Sequence, residues 1–332
     1  MARFILYNSL ITNQIGYNLL QEELTMPNYV IETHNLTKKH KHQISVNNLN
    51  IKVKHGEIYG LLGRNGAGKT STMKMILGLS TITSGSVKLF GQELKGNQKD
   101  LYPRIGSTIE TPSFYPHLTG YENLKIFAKL RGTASADAVE NALKLVNLPI
   151  KDKKKFSQYS LGMKQRLGIA NALMNDPELL ILDEPTNGLD PIGISEIRAF
   201  IRDLSVKQGI TIFISSHQLS EIEQIVDTIG IIHDGVLLEE KSMNDISENN
   251  RQHILIDVSD VKKATLILEE QFNMTNYQVV GLNTIKIFDL TAETKEINRE
   301  LIKADIDVND ISIQAGNLED YFKEITGGVG IA

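Results

Sequence analysis

The sequence predicts an α/β protein with a mixed sheet at its core, followed by a small α+β domain. An apolar run, Ile58–Leu62, leads through a glycine-rich segment into a helix-like segment that ends at Leu77. A second apolar run, residues 179–182, ends in two carboxylates and has the character of a buried parallel strand. After residue 243, six short segments follow in the order strand, helix, strand, strand, helix, strand, which is typical of a ferredoxin-like domain.

Length and composition narrow the possible classes of protein. The 332 residues are enough for two domains with a sizeable core. The net charge of −5 provides no basic field for nucleic acid, so we expect no nucleic-acid partner. The absence of cysteine excludes disulfides and thiolate metal sites and suits a cytoplasmic chain. No apolar run approaches the ~20 residues that span a bilayer, so a membrane role would require a partner.

The N-terminal segment, residues 1–25, is a poor signal peptide because several polar residues interrupt its short apolar patch. We expect the natural chain to start at Met26, and residues 1–25 to be an upstream extension that is not native. A genuine but mobile tail is the alternative. The intact mass of the protein from its native host distinguishes the two.

The glycine-rich segment predicts a phosphate-binding loop, since it lies between a strand and a helix. Glycines let several backbone N–H groups converge on one phosphate, and the helix dipole adds positive potential there. Lys69 supplies a positive charge for the phosphates, and the Thr70 hydroxyl is suited to ligate Mg²⁺. The predicted phosphate-binding residues are Gly63, Arg64, Asn65, Gly66, Ala67, Gly68, Lys69, Thr70 and Ser71.

The two carboxylates after the second apolar run, Asp183 and Glu184, predict a second part of the same site. Ligands of open α/β sheets lie at the carboxyl ends of the strands. Consecutive side chains of a strand point in opposite directions, so these two carboxylates can hold different roles. One would bind Mg²⁺ and the other would lie near the attacking water.

The remaining first part of the chain reads as short strands and helices. Residues 29–62 predict a small antiparallel sheet that leads into the central strand, and residues 86–90 another strand. Residues 118–147 read as helical. The charged run at 151–155 is interpreted as a solvated loop.

A further buried strand, residues 211–214, is followed by Ser215, Ser216 and His217. Such a histidine is often a helix cap, but a neighbouring strand that carries Asp183 favours a role in the site. Residues 228–232 and 236–239 flank Asp234-Gly235 and predict a hairpin with an Asp-Gly turn.

Together these motifs resemble the nucleotide-binding subunit of ATP-binding cassette (ABC) transporters, over residues 29–243. The phosphate loop occupies 63–70, the Walker B strand 179–183, the D-loop 187–190 and the signature 159–166. His217 falls at the switch-histidine position. The resemblance implies a P-loop NTPase of ABC type, with a mixed sheet core, an antiparallel β subdomain and a helical subdomain.

This sequence departs from the common family pattern in three places. The signature keeps Ser160 and Gly162 but has Leu161 and Met163 where a glycine and a glutamine are usual. Glu110 stands where a glutamine is usual, and we expect it to meet Mg²⁺ or the lytic water. His40 occupies the position of the aromatic that stacks on adenine; a surface histidine is the alternative.

The resemblance implies a head-to-tail dimer of two copies that enclose two ATP molecules. It assigns the phosphates to Lys69 and the loop amides, Mg²⁺ to Thr70 and Asp183, and the attacking water to Glu184. The γ-phosphate is then contacted by His217 and, from the second copy, by Ser160. Asp190 of the D-loop and Gly162 of the signature complete the predicted nucleotide contacts.

The Glu110 loop and the altered signature resemble the subgroup that exports peptide antibiotics, in bacitracin resistance and lantibiotic immunity. The implied partner is an integral membrane permease, and this chain is expected as a peripheral subunit at the cytoplasmic face of the cell membrane. Phe114 and Tyr115 are expected as exposed anchors for it, with a place in the core as the alternative. A soluble ABC ATPase acting on another macromolecule, an exporter ATPase for a different substrate, and a nucleotide-sensing subunit without turnover are the rival interpretations.

The C-terminal part, residues 244–332, lies outside the resemblance. We predict the domains 1–25, 26–243 and 244–332. In the last, strands at 253–258, 277–280, 284–288 and 310–313 and helices at 261–272 and 295–304 are expected, followed by a helix at 318–325. This domain holds no catalytic constellation, so a packing or dimer-supporting role is expected, and a regulatory role is the alternative.

Overall fold

The central element of the fold is a six-stranded sheet. A computed structural model describes residues 28–41, 43–95, 99–110, 113–132, 136–249, 253–314 and 325. The strands lie in the order β11–β10–β4–β9–β8–β7, and all neighbours are parallel except β10 and β11. The strands are β4 (Ile58–Leu62), β7 (Ile105–Thr108), β8 (Leu179–Asp183), β9 (Thr211–Ser216), β10 (Thr228–His233) and β11 (Val236–Ser242).

The edge strand β7, which leads into the Glu110 loop, is not among the strands that the sequence predicts. Ser107 and Thr108 belong to this strand and pair with β8. The strand is short, and Gly106 lies in it because helix packing leaves no space there: a Cβ would lie 2.4 Å from the Ala172 carbonyl oxygen. A short run with glycine and two hydroxyls carries little strand signal in the sequence.

The antiparallel sheet predicted for residues 29–62 is confirmed for residues 29–54, and residues 58–62 form the central strand to which it leads. Its central strand β1 pairs with β2, β3 and β5, and β5 pairs with β6. Its members are β1 (Tyr29–His40), β2 (Gln43–Leu49), β3 (Lys52–Lys54), β5 (Ser84–Leu89) and β6 (Gln92–Glu93). Its apolar side chains share one core cluster with β4 and the helix after it.

Helices lie against the sheets and build a helical region between β7 and β8. The predicted helical stretch 118–147 is two helices, the first of which begins at a capping box between Thr119 and Glu122. None of the helices within the described residues is both long and apolar enough to cross a membrane. The helices are α1 (Lys69–Ile76), α2 (Gly120–Leu130), α3 (Ala136–Leu145), α4 (Leu161–Leu173), α5 (Pro191–Gln208), α6 (Leu219–Ile222) and α7 (Met243–Asn249).

The structure separates the two aromatic residues that were expected as exposed anchors. Tyr115 is 48% exposed, but Phe114 is buried and makes edge-to-face contacts with Phe127 and Phe156. The expectation of an exposed Phe114 is therefore wrong, and its core alternative holds. The buried amide of Asn123 exchanges hydrogen bonds of 2.7 and 3.1 Å with the Tyr115 backbone, which fixes the chain so that only Tyr115 faces solvent.

The Asp-Gly hairpin forms as predicted. Asp234 and Gly235 both have positive φ, 46° and 81°, as a two-residue loop of type I′ requires. This hairpin joins β10 to β11 at the edge of the central sheet.

The central strand β4 is linked to β11 through a buried tyrosine. The Tyr59 hydroxyl donates a 2.7 Å hydrogen bond to Glu240 of β11. Burial raises the pKa of Tyr59 well above its ordinary value.

The C-terminal α+β unit has the predicted order of elements and its own apolar core. Its sheet has the order β13–β14–β12–β15, in which all neighbouring strands are antiparallel. The predicted helix at 318–325, apart from Ile325, and residues 1–25 with Met26 lie outside the described residues. The elements are β12 (His253–Val258), α8 (Val261–Phe272), β13 (Tyr277–Val280), β14 (Thr284–Ile287), α9 (Thr294–Lys303) and β15 (Val308–Gln314).

Candidate active site

The glycine-rich loop joins β4 to α1 at the carboxyl edge of the central sheet. Gly68 caps the helix with φ 111° and offers no side chain to its N–H groups, which stay available to a ligand. Two of the glycines are sterically required. A Cβ on Gly63 would lie 2.3 Å from the Ile232 carbonyl oxygen, and one on Gly68 would lie 2.4 Å from that of Ser45. The tip of the loop, formed by Arg64, Asn65 and Gly66, is exposed.

Lys69 begins helix α1, and its side chain folds back into the loop. Its ammonium group donates to the carbonyl oxygens of Gly63 and Arg64, at 2.6 and 3.2 Å. The same group forms an ion pair of 3.1 Å with Glu184 Oε1, although the Lys69 side chain is only 5% exposed. These three oxygen partners hold the buried Lys69 ammonium against the glycine-rich loop.

Asp183, the last residue of β8, is held by two hydroxyls. The Thr70 hydroxyl donates to Oδ2 at 2.9 Å, and the Ser215 hydroxyl donates to Oδ1 at 2.6 Å. Thr70 comes from α1 and Ser215 from the neighbouring strand β9, so three elements meet at one carboxylate. This confirms that the loop and the carboxylate strand contact each other, as the sequence predicts.

Glu184 follows directly, and its side chain reaches the same region as that of Asp183. Its backbone leaves the strand with φ 46°, in the left-handed region. The strict alternation expected for a strand end therefore stops at Glu184. One carboxylate oxygen lies 3.1 Å from the Lys69 ammonium, and the other lies 2.9 Å from His217 Nδ1.

His217 lies in the turn after β9, and its ring is oriented on both sides. The Gln218 side-chain amide nitrogen lies 3.2 Å from Nε2 and the Glu184 carboxylate lies 2.9 Å from Nδ1, so both ring nitrogens have a polar partner. His217 thus lies beside Glu184, and its role in the site stays a prediction.

A buried carboxylate that the sequence prediction missed supports this turn. Glu221 of α6 is 7% exposed and accepts from the hydroxyls of Thr186, at 2.7 Å, and Ser216, at 3.1 Å. Thr186 follows Glu184, and Ser216 precedes His217. The network therefore ties the segment after β8 to the turn after β9. Neither Ser215 nor Glu221 belongs to a known short motif. The hydroxyl-rich run 215–216 is the one sequence signal that could have indicated this network.

The signature segment lies at a separate opening on the surface. Ser160 caps α4, where its hydroxyl accepts from the Met163 N–H at 3.3 Å, and Asp190 caps α5 by accepting from the Gly193 N–H at 2.7 Å. Ser160, Gly162 and Asp190 line one open cavity of about 480 Å³. Among the described residues, no hydrogen bond or ion pair joins Ser160, Gly162 or Asp190 to the glycine-rich loop.

Two further predicted residues stay apart from the carboxylate pair. Glu110 follows β7 with φ 60°, and its carboxylate forms an ion pair of 2.6 Å with Lys74 of α1. His40 ends β1 and is exposed. Their roles at Mg²⁺ and adenine stay predictions.

The chemistry of the donor set fits a magnesium ion. A hydroxyl and a carboxylate, both hard oxygen ligands, already lie 2.9 Å apart at Thr70 and Asp183, and the adjoining loop is shaped for phosphate. Magnesium is commonly bound by one or two protein oxygens together with substrate phosphates. Glu184, the residue after Asp183, lies beside the imidazole of His217.

Comparison with known proteins agrees with this geometry. Residues 46–187 match the family described as ABC transporter. The bacitracin transport ATP-binding protein BcrA of Enterococcus faecalis is 56% identical over 92% of this chain and 98% of its own length. The lantibiotic transport ATP-binding protein SrtF of Streptococcus pyogenes is 46% identical over 66% of this chain and 93% of its own length. A solved dimeric ATP-binding cassette, MJ0796 with bound ADP and Pi, shares the fold at a TM-score of 0.58, covering 64% of this chain and 98% of that one, at 24% identity.

The chain therefore belongs to the ATP-binding proteins of ABC transporters. Its fold is the predicted P-loop ATPase fold of ABC type. It binds ATP and hydrolyses it, and the hydrolysis is coupled to transport.

Proposed function

We propose that this chain is the ATP-hydrolysing subunit of a membrane exporter that expels peptide antibiotics, and so gives immunity or resistance. The likeness to BcrA over almost the whole of both chains supports a bacitracin-type or lantibiotic-type substrate. The observation that carries the hydrolytic part is the contact of Glu184 with both Lys69 and His217.

ATP binding is assigned to the glycine-rich loop. The loop amides and the Lys69 ammonium bind the phosphates, and Lys69 then exchanges carbonyl and carboxylate partners for phosphate oxygens. Thr70 and Asp183 would hold Mg²⁺, which would supply positive charge beside the phosphates.

Hydrolysis is assigned to Glu184. Once phosphates neutralise Lys69, the Glu184 carboxylate is free to accept a proton from the attacking water. His217 keeps its hydrogen bond to Glu184 and contacts the γ-phosphate. Catalysis is then mainly positioning and charge stabilisation by groups that already lie within hydrogen-bond distance of one another.

A second copy of this chain is proposed to complete the site, in a head-to-tail dimer. Ser160 and Gly162 line a cavity that opens to the surface, where a γ-phosphate held by another copy could be bound at the start of α4. The similar cassette MJ0796 is itself dimeric. Asp190 borders the same cavity.

The permease is proposed to dock beside Tyr115 and Glu110, at the cytoplasmic face of the membrane. Tyr115 is half-exposed and stacks edge-on with His117 at 6.1 Å, which gives a firm aromatic anchor. Phe114 supports this surface from the core.

The test is protection of a sensitive Gram-positive host. The chain is expressed with and without its neighbouring permease genes, and growth inhibition by bacitracin and a panel of lantibiotics is measured. We expect protection that needs both the permease and Glu184. Equal protection by Glu184→Gln contradicts ATP-driven export, and no protection against any member overturns the substrate class.

A further inference from the structure

A buried hydroxyl contacts both residues of the carboxylate pair. Ser215, in β9, is 0% exposed and lies in register with Asp183 of β8. Its Oγ donates to Asp183 Oδ1 at 2.6 Å and accepts from the Glu184 N–H at 3.0 Å. A hydroxyl has one proton and two lone pairs, so both bonds form at the same time.

The first bond fixes the Asp183 carboxylate. Oδ1 is held by Ser215 and Oδ2 by Thr70, so the group is fixed at both oxygens. The 2.6 Å distance is that of a hydrogen bond to an ionised acceptor, which is stronger than a neutral one. If Thr70 turns its hydroxyl proton away to ligate Mg²⁺, Ser215 is the remaining donor among these contacts that orients the carboxylate.

The second bond fixes the Glu184 backbone. A glutamate at φ 46° has an unfavourable backbone conformation, so its neighbours must hold it there. The N–H of Glu184 lies beyond the strand pairing of Asp183 and finds its partner in Ser215. This bond holds the turn that brings the Glu184 carboxylate to Lys69 and His217.

We propose that Ser215 is a positioning residue for ATP hydrolysis, which sets the orientation of the Asp183 carboxylate toward Mg²⁺ and of the Glu184 carboxylate toward the attacking water. The proposal rests on the roles proposed above for Asp183 and Glu184. Ser215 touches no substrate, and it acts through the two residues that it binds.

The test compares three substitutions of Ser215 with a control. Ser215→Thr and Ser215→Val have nearly the same shape and differ in the hydroxyl, so their difference isolates its effect. Ser215→Ala removes the hydroxyl without added volume. Ser205→Ala is the matched control, because Ser205 is also a buried serine, 6% exposed, whose hydroxyl donates at 2.9 Å to the Gly56 carbonyl oxygen outside the site.

Two quantities are measured: kcat and KM for ATP, and the affinity for a fluorescent ATP analogue at increasing Mg²⁺ and in EDTA. We expect Ser215→Val and Ser215→Ala to lower kcat by roughly 10–100-fold. We also expect the Mg²⁺ concentration that gives tight nucleotide binding to rise by roughly the same factor in both variants. Affinity in EDTA is unchanged, Ser215→Thr exceeds Ser215→Val in kcat, and Ser205→Ala behaves as the wild type.

Equal kcat for the Thr and Val variants overturns the proposal, whatever the added methyl does to folding. Wild-type kcat and Mg²⁺ dependence in Ser215→Ala also overturn it, as does a loss of affinity in EDTA that matches the loss in Mg²⁺. The Glu184→Gln variant tests the proposed function of Glu184 separately from the positioning role of Ser215. If it retains turnover, the proposed function of Glu184 fails, and Ser215 is then judged by the Mg²⁺ dependence alone.

Discussion

At the scale of single residues, Glu184 lies between a lysine and a histidine, and both contacts have a consequence for function. Lys69, at 3.1 Å, is the proposed phosphate ligand, and His217, at 2.9 Å, is proposed to orient the carboxylate. Loss of the lysine should therefore affect binding, and loss of the carboxylate should affect the chemical step.

We expect Glu184→Gln to lower ATP hydrolysis by roughly 10²–10⁴-fold, the usual effect of losing a general base, while ATP binding is retained. Lys69→Ala should weaken ATP binding itself. Turnover and equilibrium nucleotide binding are measured on the same preparations, with Asp203→Asn on the exposed face of α5 as control. Near-normal turnover in Glu184→Gln removes Glu184 from the role.

The residues of the carboxylate site could largely be predicted from the sequence, because loop, strand end and histidine are local patterns. The chain brings Thr70 to Asp183, as their shared Mg²⁺ role predicts. The direct contacts of Lys69 and His217 with Glu184 were not predicted, because both residues were assigned to the phosphates. Ser215 and the left-handed turn at Glu184 could not be predicted. They depend on the register of β8 against β9, which no local pattern encodes.

At the scale of elements, the segment before α2 presents one aromatic side chain to the core and the next to solvent. Phe114 packs on Phe127 and Phe156, and the buried Asn123 amide holds the Tyr115 backbone. Adjacent aromatics in a loop gave no basis for predicting which of the two is buried, because Asn123 decides it.

We expect Phe114→Ala to lower the free energy of unfolding by about 3–5 kcal/mol, as a buried aromatic truncation does. Tyr115→Ala should change it by no more than about 0.5 kcal/mol but reduce the amount of permease that co-purifies. Denaturant unfolding and pull-down of the permease measure the two effects. Undiminished recovery with Tyr115→Ala counts against docking at this surface.

The strand β7 is tied to β8 by Arg104 and Glu178, which precede the two strands. The guanidinium binds the carboxylate through two bonds of 2.5 and 2.7 Å and lies 3.7 Å from the centre of the Phe90 ring. The hydrogen bonds from Arg104 hold the pKa of Glu178 below its ordinary value. The stabilisation is therefore present above the unfolded pKa of about 4.3 and is lost as the pH falls through the folded pKa.

We expect Glu178→Gln to lower the free energy of unfolding at pH 7 by about 0.5–1 kcal/mol, a small effect because the pair is partly screened by solvent. The difference from the wild type should shrink as the pH falls below about 4. Denaturant unfolding across this pH range measures it, with Asp203→Asn as a control for an exposed pair. A difference that grows at low pH contradicts the assignment.

At the scale of the whole molecule, the chain joins a P-loop ATPase to a C-terminal α+β unit with a separate core. The domain boundaries at residues 25/26 and 243/244 stay predictions. The order of the C-terminal elements was predictable because the apolar residues of each strand and helix recur with a clear period. The role of this unit could not be predicted, because no local sequence motif indicates it. The packing or dimer-supporting role expected for it is a prediction of the same kind.

The central claim is that ATP hydrolysis at Glu184 drives export of a peptide antibiotic through a permease. The most direct measurement is ATP turnover by the chain reconstituted with its permease in lipid vesicles, with and without bacitracin or a lantibiotic. We expect one of these peptides to raise turnover in the wild type and none to do so in Glu184→Gln. Turnover that is the same with every peptide, or that persists in Glu184→Gln, would contradict the claim.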